Sequence, residues 1–256
     1  MHATERKRVI MELLKENDSG DVITLSNYLA VSKVTIRKDL DELAQKGLVM
    51  RTHGGAVLAE RTKLVRLVSN TLCERTSEKK AICKEALKFV QNGKSIIIDS
   101  GSTTVHLASL VAKKRLTVIT NSVLVINDLA EAESVDLIIA GGLLRRPSLA
   151  AMGSPTRSYF GQIHADILFL GASGFSLEGG VSCTNLIEAD TKQAMIDCAS
   201  QVILLADSSK FGCESLAKIC DWSSIDVLIT DNLPLENCQE LVSKGVNVLI
   251  AGHSVG

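Results

Sequence analysis

A run of small and hydroxylated residues, Asp99-Ser100-Gly101-Ser102-Thr103-Thr104, follows the apolar stretch 95–98 and precedes a helical pattern. A strand, a tight turn and a helix start in that order leave backbone N–H groups free and point the positive helix end at the turn, which favours an anion. The hydroxyls of Ser102, Thr103 and Thr104 add donors. Neither G-x-x-x-x-G-K-[ST] nor G-x-G-x-x-G occurs here, so nucleotide motifs do not account for the run, whereas a small sugar phosphate does. Thr120-Asn121-Ser122, Gly141-Gly142, Gly171-Ala172-Ser173-Gly174 and Asp207-Ser208-Ser209-Lys210 each follow an apolar run too. One such turn is commonly only a turn. Five of them suggest a pocket, because open parallel sheets bind ligands at the carboxyl ends of their strands. Lys210 would meet a phosphate or carboxylate, and Asp207 a hydroxyl or Lys210 itself. Glu188 and Lys192 stand i,i+4 on a helical stretch, the spacing of a surface ion pair worth about 0.2–0.5 kcal/mol. His106 falls in the first turn of the helix after Thr104, and Cys183 has no base predictably beside it; both read as structural or solvated.

A second kind of chemistry lies near the start of the chain. Placed on a helix at about 100° per residue, Ile36, Leu40 and Leu43 fill one narrow arc, and Val34, Thr35, Arg37, Lys38 and Asp41 face the other way. An outward Val among donors is odd on a purely solvated face. It makes sense in a major groove, where Val and Thr methyls touch thymine, Arg bridges guanine and Lys holds phosphate. Arg51 and His53 stand beside Gly54-Gly55, where glycines permit close approach of the backbone to a phosphate.

The elements that must carry these groups differ between two parts of the chain. In residues 1–58, Thr4 can cap a helix bearing Val9, Ile10, Leu13 and Leu14, and residues 17–20 end it. Thr24 can cap a second helix with Leu25, Tyr28 and Leu29. Ser32 can cap a third, running to about Lys46 and stopped by Gly47. Two short apolar runs around Gly54-Gly55 then read as a β-hairpin. Three helices and a hairpin make a winged helix-turn-helix, whose third helix contacts bases. Residues 59–76 read as a charged connector. From residue 77, apolar runs at 95–99, 116–120, 135–140, 167–171, 202–206, 227–230 and 246–251 alternate with helical stretches such as 79–91, 104–113 and 188–200. That is an α/β domain with a mostly parallel sheet covered on both faces.

Composition limits the alternatives. The chain has 256 residues, enough for two domains, and is 46% hydrophobic and 22% charged. With 3% aromatics the core must be aliphatic. The net charge is −1, and residues 1–60 hold nine Lys/Arg and nine Asp/Glu, so bulk basicity gives no argument for nucleic acid. Cysteines at 73, 83, 183, 198, 213, 220 and 238 form no C-x-x-C, and no His stands at zinc-finger spacing. Reduced thiols in a cytoplasmic protein are expected, with no metal, no cofactor, no secretory signal and no membrane span.

Arg6, Ile10 and Leu14, followed by Ser32-Lys33-Val34-Thr35-Ile36-Arg37-Lys38-Asp39-Leu40 and by Arg51-Thr52-His53-Gly54-Gly55-Ala56, resemble the N-terminal signature and wing of DeoR-type bacterial transcriptional regulators. Residues 77–256 resemble the family's effector domain at Asp99 to Thr104, Asn121-Ser122, Gly141-Gly142, Gly171 to Gly174, Glu188, Lys192 and Asp207 to Lys210. Cys183 stands where Thr or another small polar residue is expected. The resemblance implies a ribose-5-phosphate isomerase-like sugar-phosphate fold and a regulator of carbohydrate-metabolism genes, most simply a repressor. Ser32, Lys33, Val34, Thr35, Arg37, Lys38, Arg51, His53 and Gly54 would then meet operator DNA. Residues 77–256 would bind a phosphorylated sugar and form a homo-oligomer, dimer or tetramer, and the chain would not be an enzyme. Two other readings are a sugar-phosphate isomerase, with Asp207 or Glu188 as base and Lys210 as electrophile, and an interaction module whose winged helix contacts protein.

Overall fold

Leu14 sits one helical turn after Ile10, and the two side chains are fully buried against Leu25, Leu29, Ile36, Leu40 and Leu43. These residues form the core of the first of two units, Met1–Asn70 and Thr71–Gly256, into which the chain divides. The structure is a computed structural model and describes residues 3–17, 19–45, 48–52, 54–58 and 68–252.

The first unit contains α1 (Ala3–Asn17), β1 (Ser19–Asp21), α2 (Val22–Leu29), α3 (Lys33–Gln45), β2 (Val49–Arg51) and β3 (Gly55–Leu58). Helix α1 begins one residue before the expected cap. The cap of α2 is Asp21 rather than Thr24: its side chain accepts the N–H groups of Ile23 and Thr24, both at 2.9 Å. Ala30, with φ +50°, turns the chain between α2 and α3. Ser32 caps α3 as expected, accepting the Thr35 N–H at 3.2 Å. The wing holds one strand more than the expected hairpin, in the order β1-β3-β2, and all its pairs are antiparallel. Residues 19–21, of which 19 and 20 are expected from the sequence only to end the first helix, supply that strand because glycines meet across it: a Cβ on Gly55 would lie 2.0 Å from the Gly20 carbonyl oxygen.

The second unit follows α4 (Val68–Leu72), which lies inside the expected connector and spans the boundary between the units. It runs through α5 (Thr76–Ala86), β4 (Ser95–Ile98), α6 (Val105–Val111), β5 (Leu116–Thr120), α7 (Val123–Leu129) and β6 (Val135–Ile139). Next come β7 (Leu143–Arg145), β8 (Ala150–Met152), α8 (Ser154–Phe160), β9 (Ala165–Gly171), β10 (Gly174–Ser176), β11 (Gly180–Cys183) and α9 (Leu186–Asp197). The last elements are β12 (Ala199–Leu205), β13 (Ala217–Cys220), β14 (Val227–Thr230), α10 (Leu235–Ser243) and β15 (Asn247–Ile250). All seven expected strands form one parallel sheet in the order β15-β14-β12-β9-β4-β5-β6. Alternation explains the unbroken apolar run of β4. Ile96 and Ile98 join the core with Leu107 and Val125, and Ile97 joins the opposite core with Phe160 and Met195.

Two details depart from expectation. The stretch 188–200 is not wholly helical: Asn185 caps α9 by accepting the Ile187 and Glu188 N–H groups, and residues from Ala199 belong to β12. Two small antiparallel sheets, β7-β8 and β10-β11-β13, sit beside the main one.

The strand order fixes the place of the site. From β4 the chain builds outward to β5 and β6, then returns to the other side of β4 with β9 and continues to β12, β14 and β15. The order therefore reverses between β4 and β9. In open parallel sheets ligands bind at such a point, beyond the carboxyl ends of the strands.

Candidate functional site

On α3, Ile36 and Leu40 are fully buried, and Val34 is 72% exposed on the opposite side beside exposed Lys33, Arg37 and Lys38. Thr35 is half-buried. Lys33, Arg37 and Lys38 make no ion pair among the described residues. The inner side of the helix is held by Asp39, which receives Arg6 through Nε at 2.5 Å and Nη2 at 3.1 Å. Lys7 pairs with Glu42 on the same helix. The hydrogen-bonded Asp39 carboxylate raises the Arg6 pKa against the effect of burial. The fork fixes α1 against α3 and so sets the angle at which the polar face is presented. Composition and spacing gave Asp39 no such role.

Arg51 is engaged within the wing: Nε lies 2.9 Å from Asp41 Oδ1, and Nη1 donates to the Gly55 carbonyl at 2.8 Å. It braces β2 against α3. Gly54 is exposed, with its carbonyl accepting the Val22 N–H at 2.8 Å. The close approach at Gly55 is to the protein's own backbone, not to solvent. His53 lies outside the described residues.

The second site occupies the reversal between β4 and β9. Asp99, directly after β4, is fully buried. Its Oδ2 accepts the Gly171 N–H at 2.9 Å and its Oδ1 the Ser100 N–H at 2.7 Å. Lys192, reaching in from α9 with 2% exposure, donates to the same carboxylate and to the Gly171 carbonyl at 3.1 Å. Glu188 stands 3.7 Å from the ammonium and is 8% exposed. The i,i+4 pair read from sequence as a surface ion pair is thus a buried cluster of two carboxylates and one ammonium, because α9 packs its polar side over the ends of β4 and β9. Burial raises the Glu188 pKa, with Asp99 adding to it and Lys192 opposing. Burial opposes the Lys192 charge, and Asp99 and Glu188 overcome it, so its pKa is raised.

The turn after Asp99 keeps its donors available. Thr104 Oγ1 donates to the carbonyls of Asp99 at 2.6 Å and Gly101 at 3.1 Å, which closes the turn from inside. The amides of Ser102, Thr103 and Thr104 have no carbonyl partner among the described residues. Ser100 and Thr103 are buried, and Gly101 and Ser102 half-buried. At the neighbouring strand end, Asn121 Nδ2 donates to the Ala151 carbonyl at 2.8 Å, while its Oδ1 is buried without a partner. Ser122 caps α7. Gly142 is required by closeness, since a Cβ would lie 2.1 Å from Thr156 Oγ1; Gly141 is exposed, and its carbonyl accepts that hydroxyl at 2.8 Å. Ser173 is half-buried at the start of the β10–β11 hairpin, its N–H donating to the Ser182 carbonyl at 3.0 Å.

Asp207 and Lys210 do not pair. Asp207 is 1% exposed and accepts the Ser209 N–H at 3.1 Å and hydroxyl at 2.5 Å. Lys210 has no ion-pair partner among the described residues. Instead Arg75, from the stretch read as connector, comes to this turn with Nε 3.6 Å from Asp207 and Nη2 2.6 Å from Asp231. Neither Arg75 nor Asp231 carried a motif, so no sequence signal marked them. Arg145 on β7 was also missed; its charge pulls the Glu188 pKa down against burial.

All seven cysteines are free, and Cys183 is buried with its thiol pushed up to about 11, too high to act as a nucleophile near neutrality. Among the described residues no group of three or more His, Cys, Asp or Glu could hold a metal ion, and no helix is long and apolar enough to cross a membrane.

With this geometry in place, comparisons with known proteins give a consistent result. Residues 6–62 match the DeoR-like helix-turn-helix domain and residues 74–232 the DeoR C terminal sensor domain. A putative aga operon transcriptional repressor of Escherichia coli O157:H7 is 37% identical over 98% of this chain and 94% of its own. The HTH-type transcriptional regulator GlpR of Haloferax volcanii is 35% identical over 97% of this chain and 98% of its own. The glycerol-3-phosphate regulon repressor of Escherichia coli K12 is 32% identical over 91% of this chain and 93% of its own. Among solved structures, a D-ribose-5-phosphate isomerase in complex with phospho-erythronic acid covers 53% of this chain and 54% of its own, at 17% identity and a TM-score of 0.40.

Proposed function

Because the chain belongs to the DeoR family of helix-turn-helix regulators, we propose that it is a sequence-specific repressor of carbohydrate-metabolism genes whose DNA binding is set by a phosphorylated sugar. The relatives named above as repressors of the aga operon and the glycerol-3-phosphate regulon support the choice of genes and of ligand class. In this reading Thr35, Arg37 and Lys38 contact base edges and phosphates from α3, with Val34 against a thymine methyl. The wing supplies further backbone contacts around Gly54 and His53. A two-fold assembly follows from the need to read paired half-sites.

The observation that carries the sensor half is the buried Asp99–Lys192–Glu188 cluster at the strand-order reversal. Its charge divides the ligand's contacts. Two carboxylates already face one ammonium, so a phosphate beside Lys192 would be repelled. The amides of residues 102–104 and the Lys210 ammonium, without partners among the described residues, suit the phosphate. Glu188 and the unpartnered Asn121 Oδ1 suit sugar hydroxyls, because an acceptor buried without a partner gains from a donor brought by the ligand.

The test is a titration of DNA from the region upstream of the chain's own gene, with and without a panel of sugar phosphates. Expected are sequence-specific binding that weakens steeply with salt and a shift in affinity caused by one compound of the panel. No specific binding at low salt would overturn the regulator reading, and turnover of a sugar phosphate would replace it with the isomerase.

A further inference from the structure

Arg75 reaches the ends of β12 and β14, and it does so from an unusual backbone conformation. Its φ is +51°, in the left-handed region that residues with a side chain rarely occupy. It stands directly before α5, five residues after Asn70, the last residue of the DNA-binding unit. Its guanidinium closes a ring of hydrogen bonds. Nη2 donates to Asp231 Oδ2 at 2.6 Å and to Ser208 Oγ at 3.1 Å. Ser208 in turn donates to Asp231 through its N–H at 2.6 Å and its hydroxyl at 3.0 Å. Nε, which has no hydrogen-bond partner of its own, lies 3.3 Å from Glu78 and 3.6 Å from Asp207. One guanidinium therefore holds three carboxylates from α5 and from the ends of β12 and β14.

The segment on either side is pinned as well. Lys79, buried on α5, donates to the Thr71 carbonyl in α4, and Thr76 Oγ1 donates to the Leu72 carbonyl at 3.3 Å. Residues 71–79 thus form one braced piece, with Arg75 as its contact to the strand ends. That contact falls on the turn Ser208–Lys210, the turn that presents Lys210 to the proposed phosphate. Ser208 and Lys210 are two residues apart, so a ligand that draws Lys210 inward works on the atoms that hold Arg75.

We infer that Arg75 is the coupling residue of this regulator, a latch whose ring with Ser208 and Asp231 passes the state of the sugar-phosphate site to the segment that carries the DNA-binding unit. The inference rests on the sensor reading above. It is a positioning role: Arg75 acts through Ser208 and Asp231, and the role needs no contact with DNA or effector. Removing it should leave both affinities in place and lose the link between them.

The experiment uses the full-length chain and a duplex selected from random sequence by the wild-type protein. Calorimetry gives the affinity for glycerol 3-phosphate, glucose 6-phosphate, ribose 5-phosphate and inorganic phosphate, and fluorescence anisotropy gives the DNA affinity with and without whichever compound binds. The coupling factor is the ratio of the two DNA affinities, typically about 5–150-fold for a coupled pair of sites. For Arg75→Ala the compound's affinity and the ligand-free DNA affinity should stay within about threefold of wild type, while the coupling factor falls at least about fivefold, towards one. Asp231→Asn and Ser208→Ala, which weaken the same ring from the other side, should lower it too, and they carry the test if Arg75→Ala does not fold. A coupling factor unchanged in all three variants would overturn the latch while leaving the sensor reading intact. So would a loss of coupling that merely follows a loss of ligand binding. No coupling in the wild type with any compound would instead overturn the sensor reading, and the latch with it.

Discussion

Replacing Asp99 by Ala tests whether the buried cluster is organised as described. The side chain is fully buried and serves three donors: the Gly171 N–H at 2.9 Å, the Ser100 N–H at 2.7 Å and the Lys192 ammonium. Each orphaned buried amide costs about 1–3 kcal/mol. Breaking a buried ion pair by removing one partner costs about 3–5 kcal/mol, because the other charge stays uncompensated. Glu188, 3.7 Å from the ammonium, retains part of that compensation, which lowers the ion-pair cost to about 2 kcal/mol; with the two amides at the low end of their range, about 1 kcal/mol each, the total is about 4 kcal/mol. For a domain of this size each kcal/mol lowers Tm by roughly 2–4 °C, which gives a fall of about 8–16 °C. Thermal denaturation of the full-length chain by calorimetry measures it. The diagnostic partner is Lys192→Met. If the loss comes from a stranded ammonium, the double variant Asp99→Ala/Lys192→Met should be less destabilised than the two single changes added together, by about 0.5–3 kcal/mol. A loss under about 1 kcal/mol for Asp99→Ala, or strict additivity in the double variant, would refute the buried-cluster reasoning.

Three further outcomes follow from other parts of the molecule. Arg37→Ala should weaken specific DNA binding by about 1–3 kcal/mol and leave Tm unchanged, since the side chain is exposed and unpaired among the described residues; unaltered affinity in a binding titration removes α3 from the base-reading role. Gly55→Ala places a Cβ 2.0 Å from the Gly20 carbonyl oxygen and 2.7 Å from Asp21 Cα, both backbone atoms that cannot swing aside. It should cost about 1–3 kcal/mol in thermal denaturation and reduce DNA binding by spreading the wing; a variant as stable as wild type shows that β1 does not pack on β3 this way. For Glu188 the pH dependence has a definite sign. Burial holds its folded pKa above the ordinary 4.5, so the folded chain keeps the proton to higher pH than the unfolded chain. Its contribution to stability is complete below about 4.5 and is lost as pH rises through the folded value. Glu188→Gln, neutral throughout, should therefore gain on wild type as pH is raised from 4.5 to 8 in denaturant melts, and parallel profiles would contradict the burial.

How far such features are legible in the sequence depends on whether a residue's role is set locally. The strands of the main sheet declare themselves because both faces are buried, so Ile96, Ile97 and Ile98 need no polar alternation. The helix-turn-helix declares itself through Ser32 and the Ile36–Leu40–Leu43 stripe, local patterns at fixed spacing. The third wing strand does not, because only the meeting of Gly20 and Gly55 across 35 positions makes residues 19–21 extended. Nor does the cap at Asp21, where Thr24 offered an equally good cap by type and the backbone path decided between them. The strands β10, β11 and β13 are three or four residues long and pair across a gap in sequence, too short to carry a period of their own.

The Glu188–Lys192 pair shows why the site was legible as a place and not as a mechanism. At i,i+4 the two residues look the same in sequence whether they lie in water or under a sheet. What separates the cases is Asp99, nearly ninety positions earlier, which the reversal of strand order brings against the same face of α9. Burial then changes the meaning of the pair. An exposed pair adds a few tenths of a kcal/mol, whereas buried charges of this kind are commonly no more stabilising than well-packed apolar residues of similar volume. Stability alone therefore gives little reason to place two carboxylates and an ammonium beneath the loop of residues 99–104. An arrangement of fixed, desolvated acceptors with one unpartnered amide oxygen beside it is of use to a ligand carrying hydroxyls. It follows that replacing the cluster by apolar residues, as in Asp99→Leu/Glu188→Leu/Lys192→Met, should cost folding no more than the two amides that lose Asp99, about 2–6 kcal/mol, and abolish sugar-phosphate binding of the folded variant in calorimetry. Retained binding in that triple variant would show that the cluster serves the fold and not the ligand.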